Sequence, residues 1–161
     1  MLHTRTGQII QPLPLCANSR ANITFTGDFG TKLAEGASVE IYYWTEATYK
    51  KLEASGTALT KENAEVVRSG DEVEQSYDKT YGYEDSAFSD GIDSNKMSDT
   101  LYSAAVFTMA DGTEYCSGVE AYSPEDYAKS KKDGSDTELA DLVKWMVIYG
   151  EEAKSYFANR T

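Results

Sequence analysis

The side chains of this sequence that could do chemistry are overwhelmingly acidic. Asp90, Asp93, Asn95 and Asp99 crowd one polar stretch and offer oxygen ligands of the kind Ca²⁺ takes in sets of six to eight. Their spacing does not follow the twelve-residue EF-hand loop, so a solvated loop is the plainer reading, and Ca²⁺ is the one cofactor left open. Aromatic side chains form the second set. Tyr42 and Trp44, two positions apart, could join Tyr81 and Tyr83 as a sugar-stacking platform or a protein-binding patch. Aromatics at every second position of a strand equally belong to a core, or to a face that a helix covers. Glycoside hydrolysis needs two carboxyl groups held roughly 5 to 10 Å apart. Acids abound here, but most fall in turns or on helix surfaces, so a carboxylate-dependent glycan-active hydrolase is the alternative and a non-enzyme the expectation. His3 is the single histidine. That removes Ser-His-Asp and Cys-His arrangements and any multi-histidine zinc site. No GxxxxGK[ST] phosphate loop is present.

Composition narrows the partners. A formal charge of -12 over 161 residues repels phosphate backbones and anionic bilayers, which argues against nucleic acid and leaves glycans, cations and protein surfaces. No run approaches the roughly 18 apolar residues of a membrane span, so membrane insertion is not expected. Pro12 and Pro14 interrupt the apolar content of the N-terminal stretch, which makes it a poor signal-peptide core. Of the two cysteines, Cys116 is flanked by Tyr115 and Val119 in a strand-like stretch. It reads as a buried free thiol, or else as one end of a staple to Cys16.

The elements that must position these groups follow from hydrophobic period. Residues 1–20 carry two prolines and no sustained period, and are expected to form a flexible arm ahead of one domain over 21–161. Residues 22–26 alternate as a half-buried strand. In VEIYYW, residues 39–44, Val39, Ile41 and Tyr43 face one way and Glu40, Tyr42 and Trp44 the other. Residues 46–67 fit either a short helix around Tyr49 and Leu52 or a lid between strands. Val66-Val67 and Val73 around Gly70-Asp71 suggest a hairpin. LYSAAVFTM, residues 101–109, is apolar in both alternating sets and reads as a central strand. Asp111-Gly112 turns it back through Thr113–Val119. Ser123-Pro124-Glu125-Asp126 opens a helix that runs to about Lys131, with Ser123 as cap and Pro124 at its first position. From Thr137 to Phe157, apolar residues recur at three- and four-residue steps, the pattern of a long amphipathic helix. A switch of period from two to about 3.6 near residue 123 predicts a mostly β or α+β protein. The expected architecture is an antiparallel β-sandwich or curled sheet with the C-terminal helix packed on one face.

The C-terminal half also resembles a known module. MSDTLYSAAVFTMADGTEYCSGVEAYSPEDYA followed by ELADLVKWMVIYGEEAKSYF is similar to a segment found toward the C-termini of large secreted or cell-surface proteins of gut Firmicutes such as ruminococci and clostridia. The matching residues are Met97-Ser98-Asp99, Leu101-Tyr102, Asp111-Gly112-Thr113, Tyr122-Ser123, Asp126-Tyr127-Ala128 and Tyr149-Gly150 through Tyr156-Phe157. Glu151-Glu152 stands where that pattern has small residues, and Trp145 where it has alanine. The resemblance implies an extracellular or cell-surface, non-catalytic accessory module within a larger multidomain protein. Its duty would be structural spacing, or binding of a glycan or a surface protein.

Overall fold

From amino to carboxyl end the chain lays down β1 (His3–Gly7), β2 (Arg20–Ala21), β3 (Thr24–Asp28), β4 (Ser38–Thr45), α1 (Glu46–Ala54), β5 (Val66–Ser69), β6 (Glu74–Asp78), β7 (Gly82–Phe88), β8 (Ile92–Asp93), β9 (Leu101–Thr108), β10 (Glu114–Cys116), β11 (Glu120–Tyr122), α2 (Pro124–Lys131) and α3 (Thr137–Ala158). These are the elements of a computed structural model that describes residues 3–7, 20–21, 24–28, 32–80 and 82–160. Two antiparallel sheets carry the fold, in the orders β1-β3-β7-β6 and β10-β9-β4-β5, with β11 also on β9 and a short β2-β8 pair apart from both. Together with the helices they give the mixed α+β class that the change of period implies.

The central pair is β4 with β9, in register from Ser38 opposite Thr108 to Thr45 opposite Leu101. Both strands are apolar on both faces, because both faces are covered. Ile41, Tyr43, Ala105 and Phe107 meet Ala87 of the other sheet, with Val66 and Val73 beside them. The Tyr43 hydroxyl donates to the Ala87 carbonyl at 2.6 Å, which ties the two sheets across their shared core. On the opposite face Tyr42, Trp44 and Ala104 pack under Tyr49 and Leu52 of α1 and under Leu59 and Ala64 of the loop that follows. The segment left open between helix and lid is thus a helix, capped by Thr45, whose hydroxyl accepts from the Thr48 N–H at 3.4 Å.

Three expectations need correction. Val66 and Val73 do not flank a hairpin: β5 pairs with β4, and β6 pairs with β7 in the other sheet. The chain changes sheets at Gly70, whose φ of 57° suits glycine, so that both valines enter the one inter-sheet core. Residues 3–7 belong to no free arm, since β1 pairs antiparallel with β3 from His3 opposite Asp28 to Gly7 opposite Thr24. The alternating, β-branched Thr4 and Thr6 give this segment strand character that the prolines further on obscure. Cys116 is a free thiol, but exposed rather than buried, because β10 is an edge strand; Cys16 lies outside the described residues.

The helical end forms as its caps dictate. Ser123 and Asp126 make a reciprocal capping box, with Pro124 at the start of α2. Asp136 accepts from the Leu139 N–H at 3.0 Å to open α3. Ala140, Val143 and Gly150 are the buried residues of this 22-residue helix, whose main contacts are with α2 and with a 3₁₀ turn at Ser94–Lys96 leading toward β9. Gly150 lines the seam between α2 and α3 together with Met97, Pro124 and Ala128. No helix among the described residues is long and apolar enough to cross a membrane.

Candidate functional site

A cleft of about 480 Å³ opens at one end of the sandwich. The end of β4 and the start of α1 supply Thr45 and Glu46, and the approach to β5 supplies Glu65 and Val66. The 89–93 segment forms one wall, and Lys96, Asp99, Thr100 and Leu101 complete the rim. The register explains the convergence: Tyr43 is opposite Val66 and Thr45 is opposite Leu101, so three strand ends meet at one level.

Two of the cleft carboxylates are fixed by the fold. Glu65 accepts from the Thr45 N–H, from the Thr45 hydroxyl at 2.8 Å and from the Thr48 hydroxyl at 2.7 Å. Burial pushes its carboxyl up, but those donors outweigh burial and hold it below the usual range. Glu46 pairs with Lys50 and accepts from the Thr100 N–H at 3.2 Å, and the Lys50 ammonium holds its carboxyl low as well. Asp90 is met by the Arg68 guanidinium at 2.5 Å. The Lys96 and Asp99 side chains reach the rim with no side-chain hydrogen bond to another described residue.

Of the four oxygen-bearing residues singled out from sequence, Asp90, Asp93 and Asp99 line this cleft, while Asn95 lies on the other side of the 3₁₀ turn and lines the seam against α3. Among the described residues no three His, Cys, Asp or Glu side chains come together as a metal-holding group. The aromatic candidates disperse. Tyr42 and Trp44 are not a surface platform: they are 8% and 1% exposed, beneath α1, with the Tyr42 hydroxyl on Glu40 at 2.8 Å and the Trp44 indole N–H on Asn63 at 3.0 Å. A strand covered on both faces has no outward side for them. Tyr83 packs edge-on against the exposed Tyr77 at 5.2 Å, across the β6–β7 pair. Tyr81 lies outside the described residues.

Thr45, Glu46, Glu65, Ser89 and Thr100 come from well-separated segments, and nothing in their local sequence marks them as a set. Asp85 could have been found. It alternates with Tyr83 and Ala87 in β7, so a strand reading places it inward. It is 3% exposed, accepts from the Gln75 amide at 3.2 Å through Oδ1, and has no partner on Oδ2. Burial pushes its carboxyl above the usual range.

No protein-family model and no curated protein matches the sequence. Among solved structures, a similar chain is an uncharacterized protein of Listeria monocytogenes EGD-e in complex with α-D-glucose, β-D-glucose, magnesium and calcium. The two are 11% identical with a TM-score of 0.41, and the match covers 73% of this chain but 10% of that one. A likeness at that level carries no argument about fold or ligand.

Proposed function

We propose that the chain is a non-catalytic accessory module of a larger secreted or cell-surface bacterial protein, and that its cleft holds a stretch of glycan. The observation that carries the binding reading is the cleft itself. Its volume of about 480 Å³ falls in the range of roughly 300–1,000 Å³ typical of small-ligand sites. The Thr100 hydroxyl, with the carboxylates of Asp93 and Asp99, can exchange hydrogen bonds with sugar hydroxyls. Val66, Ile92 and Leu101 supply apolar contact for the C–H faces of a pyranose.

The engagement of Glu46 and Glu65 by the fold favours binding over hydrolysis by these two acids. A glycosidase needs a carboxyl held protonated as general acid. Glu46 and Glu65 are instead held low and are spent on the start of α1. The buried acid that is pushed up, Asp85, lies in the inter-sheet core and outside the cleft lining.

Glycan-array screening of the wild type against Asp93→Ala and Asp99→Ala tests this reading. At least one glycan class should bind the wild type and lose about tenfold or more with each variant, as expected when a charge-assisted hydrogen bond to the ligand is removed. Reducing-end assays on the same glycans should detect no cleavage. A wild type silent on the array would leave the module with spacing duty alone, and signals unchanged by both variants would remove the cleft as the site.

A further inference from the structure

The outer side of α3 carries a second apolar face that no other element among the described residues covers. At about 100° per residue, Leu142, Trp145, Tyr149 and Tyr156 fall within about 60° of one another around the helix axis, flanked by Ile148 and Phe157. All six are exposed, Trp145 at 69% and Tyr156 at 52%. This face is distinct from the side of Ala140, Val143 and Gly150 that seats the helix on α2 and the Ser94–Lys96 turn. Exposed Trp and Tyr in one contiguous stripe are the composition of an interface hot spot.

The charges around the stripe define its occupant. Glu138 lies within it, and Asp141 and Glu152 border one edge; all three are exposed. The lysines of α3 lie elsewhere: Lys144 and Lys154 are about 100° or more from the stripe, and Lys154 reaches the Ser98 hydroxyl at 3.1 Å. The one link toward the rim, Lys144 to Asp141, is an exposed contact at 3.5 Å and contributes little. At the C-terminal end the chain itself supplies the complementary group, since the Arg160 guanidinium lies 4.4 Å over the Tyr156 ring. We infer that this face docks a protein surface presenting apolar residues bordered by lysine or arginine. A second copy would bring the same acidic rim, on a chain of net charge -12, against itself. An anionic bilayer is repelled on the same ground.

The test uses the full chain and two synthetic probes, an amphipathic helix of leucine and lysine and its twin with glutamate in place of lysine. Calorimetric titration should show the lysine probe binding at least about tenfold more tightly than the twin, with a blue shift of Trp145 emission over the constant background of buried Trp44. Trp145→Ala should weaken the lysine probe about tenfold or more without moving the thermal midpoint, which separates this face from general attraction to an acidic protein. The triple change Glu138→Lys, Asp141→Lys and Glu152→Lys should invert the preference between the probes. Any of four results overturns the inference: no binding of either probe, equal binding of both, indifference to Trp145→Ala, or failure of the triple variant to invert the order. Sedimentation showing a dimer that Trp145→Ala dissolves would give the face to a second copy, and equal partition onto zwitterionic vesicles would give it to a membrane; either also overturns the inference.

Discussion

Asp85→Asn should stabilise the protein at neutral pH and leave it unchanged in acid. The wild-type carboxyl is 3% exposed and receives a single hydrogen bond, from Gln75 at 3.2 Å, while Oδ2 has none. Burial raises its pKa in the folded state above the unfolded value of about 3.9. Between those two values the native state holds a proton that the unfolded chain has released, so stability falls as pH rises through the window. Below the unfolded pKa both states are protonated and the penalty is absent; above the folded pKa it is complete. Asparagine keeps an oxygen for Gln75 and carries no charge at any pH. The asparagine amide still leaves its N–H groups unpaired where Oδ2 stood, so the gain at pH 7 is that of removing the buried charge alone, about 1–3 kcal/mol. For a chain of this length it raises the thermal midpoint by roughly 2–12 °C. Melting curves by circular dichroism from pH 3 to 8 read the effect, with exposed Asp133→Asn as the control for lost net charge. A gain of equal size at pH 3, or destabilisation at pH 7, would refute the reasoning.

Other substitutions probe the rest of the fold. Trp44→Ala should cost about 3–5 kcal/mol in denaturant unfolding, because the indole is fully enclosed under α1. Glu65→Ala releases the start of α1 from three acceptor contacts. With solvent screening at this exposed residue the loss should be about 1 kcal/mol in chemical denaturation. Because the folded Glu65 pKa is depressed, that contribution is present above the unfolded pKa and disappears as pH falls through the folded one. Cys116, free and exposed on β10, should be alkylated by a maleimide in native buffer, as read by peptide mass mapping; protection until denaturant is added would contradict its position.

Much of the framework was legible because local signals agreed with tertiary need. β9 announced itself through apolar residues in both alternating sets, and its burial on two faces is what that pattern requires, whereas β4 was legible as a strand by its alternation while the cover over Tyr42 and Trp44 was not. The Ser123-Pro124-Asp126 start of α2 and the Asp111-Gly112 turn are local hydrogen-bond chemistry, readable in a few residues. What was not legible depends on pairing between distant segments. YEDSAF carries strand alternation inside an acidic stretch, but its place as an inner strand of the second sheet comes from pairing with β3 and β6, with Ala87 supplying the core contact. Val66 and Val73 look like hairpin partners because both point inward, and sequence spacing does not record that they belong to different sheets. The cleft shows the same limit, since Glu65 and Thr100 meet through strand register rather than through any motif.

The stretch from Asn95 to Thr100 links the two proposed surfaces. Asn95, Met97 and Ser98 line the seam against α2 and α3, whereas Lys96, Asp99 and Thr100 line the cleft. One short stretch therefore answers to the seating of α3 on one side and shapes the ligand cleft on the other. Val143→Ala removes two methyl groups from a fully buried position on the seated face of α3 and should cost about 1–2 kcal/mol. If the coupling is real, hydrogen exchange measured on the intact protein should quicken in residues 94–100 and in α3 while β4 and β9 keep their protection, because local opening follows the contacts that were weakened. Uniform acceleration across all strands would mean that α3 reports only global stability. Unchanged exchange in 94–100 with a loosened α3 would mean that the cleft wall stands without the helix, and the two surfaces would then act independently.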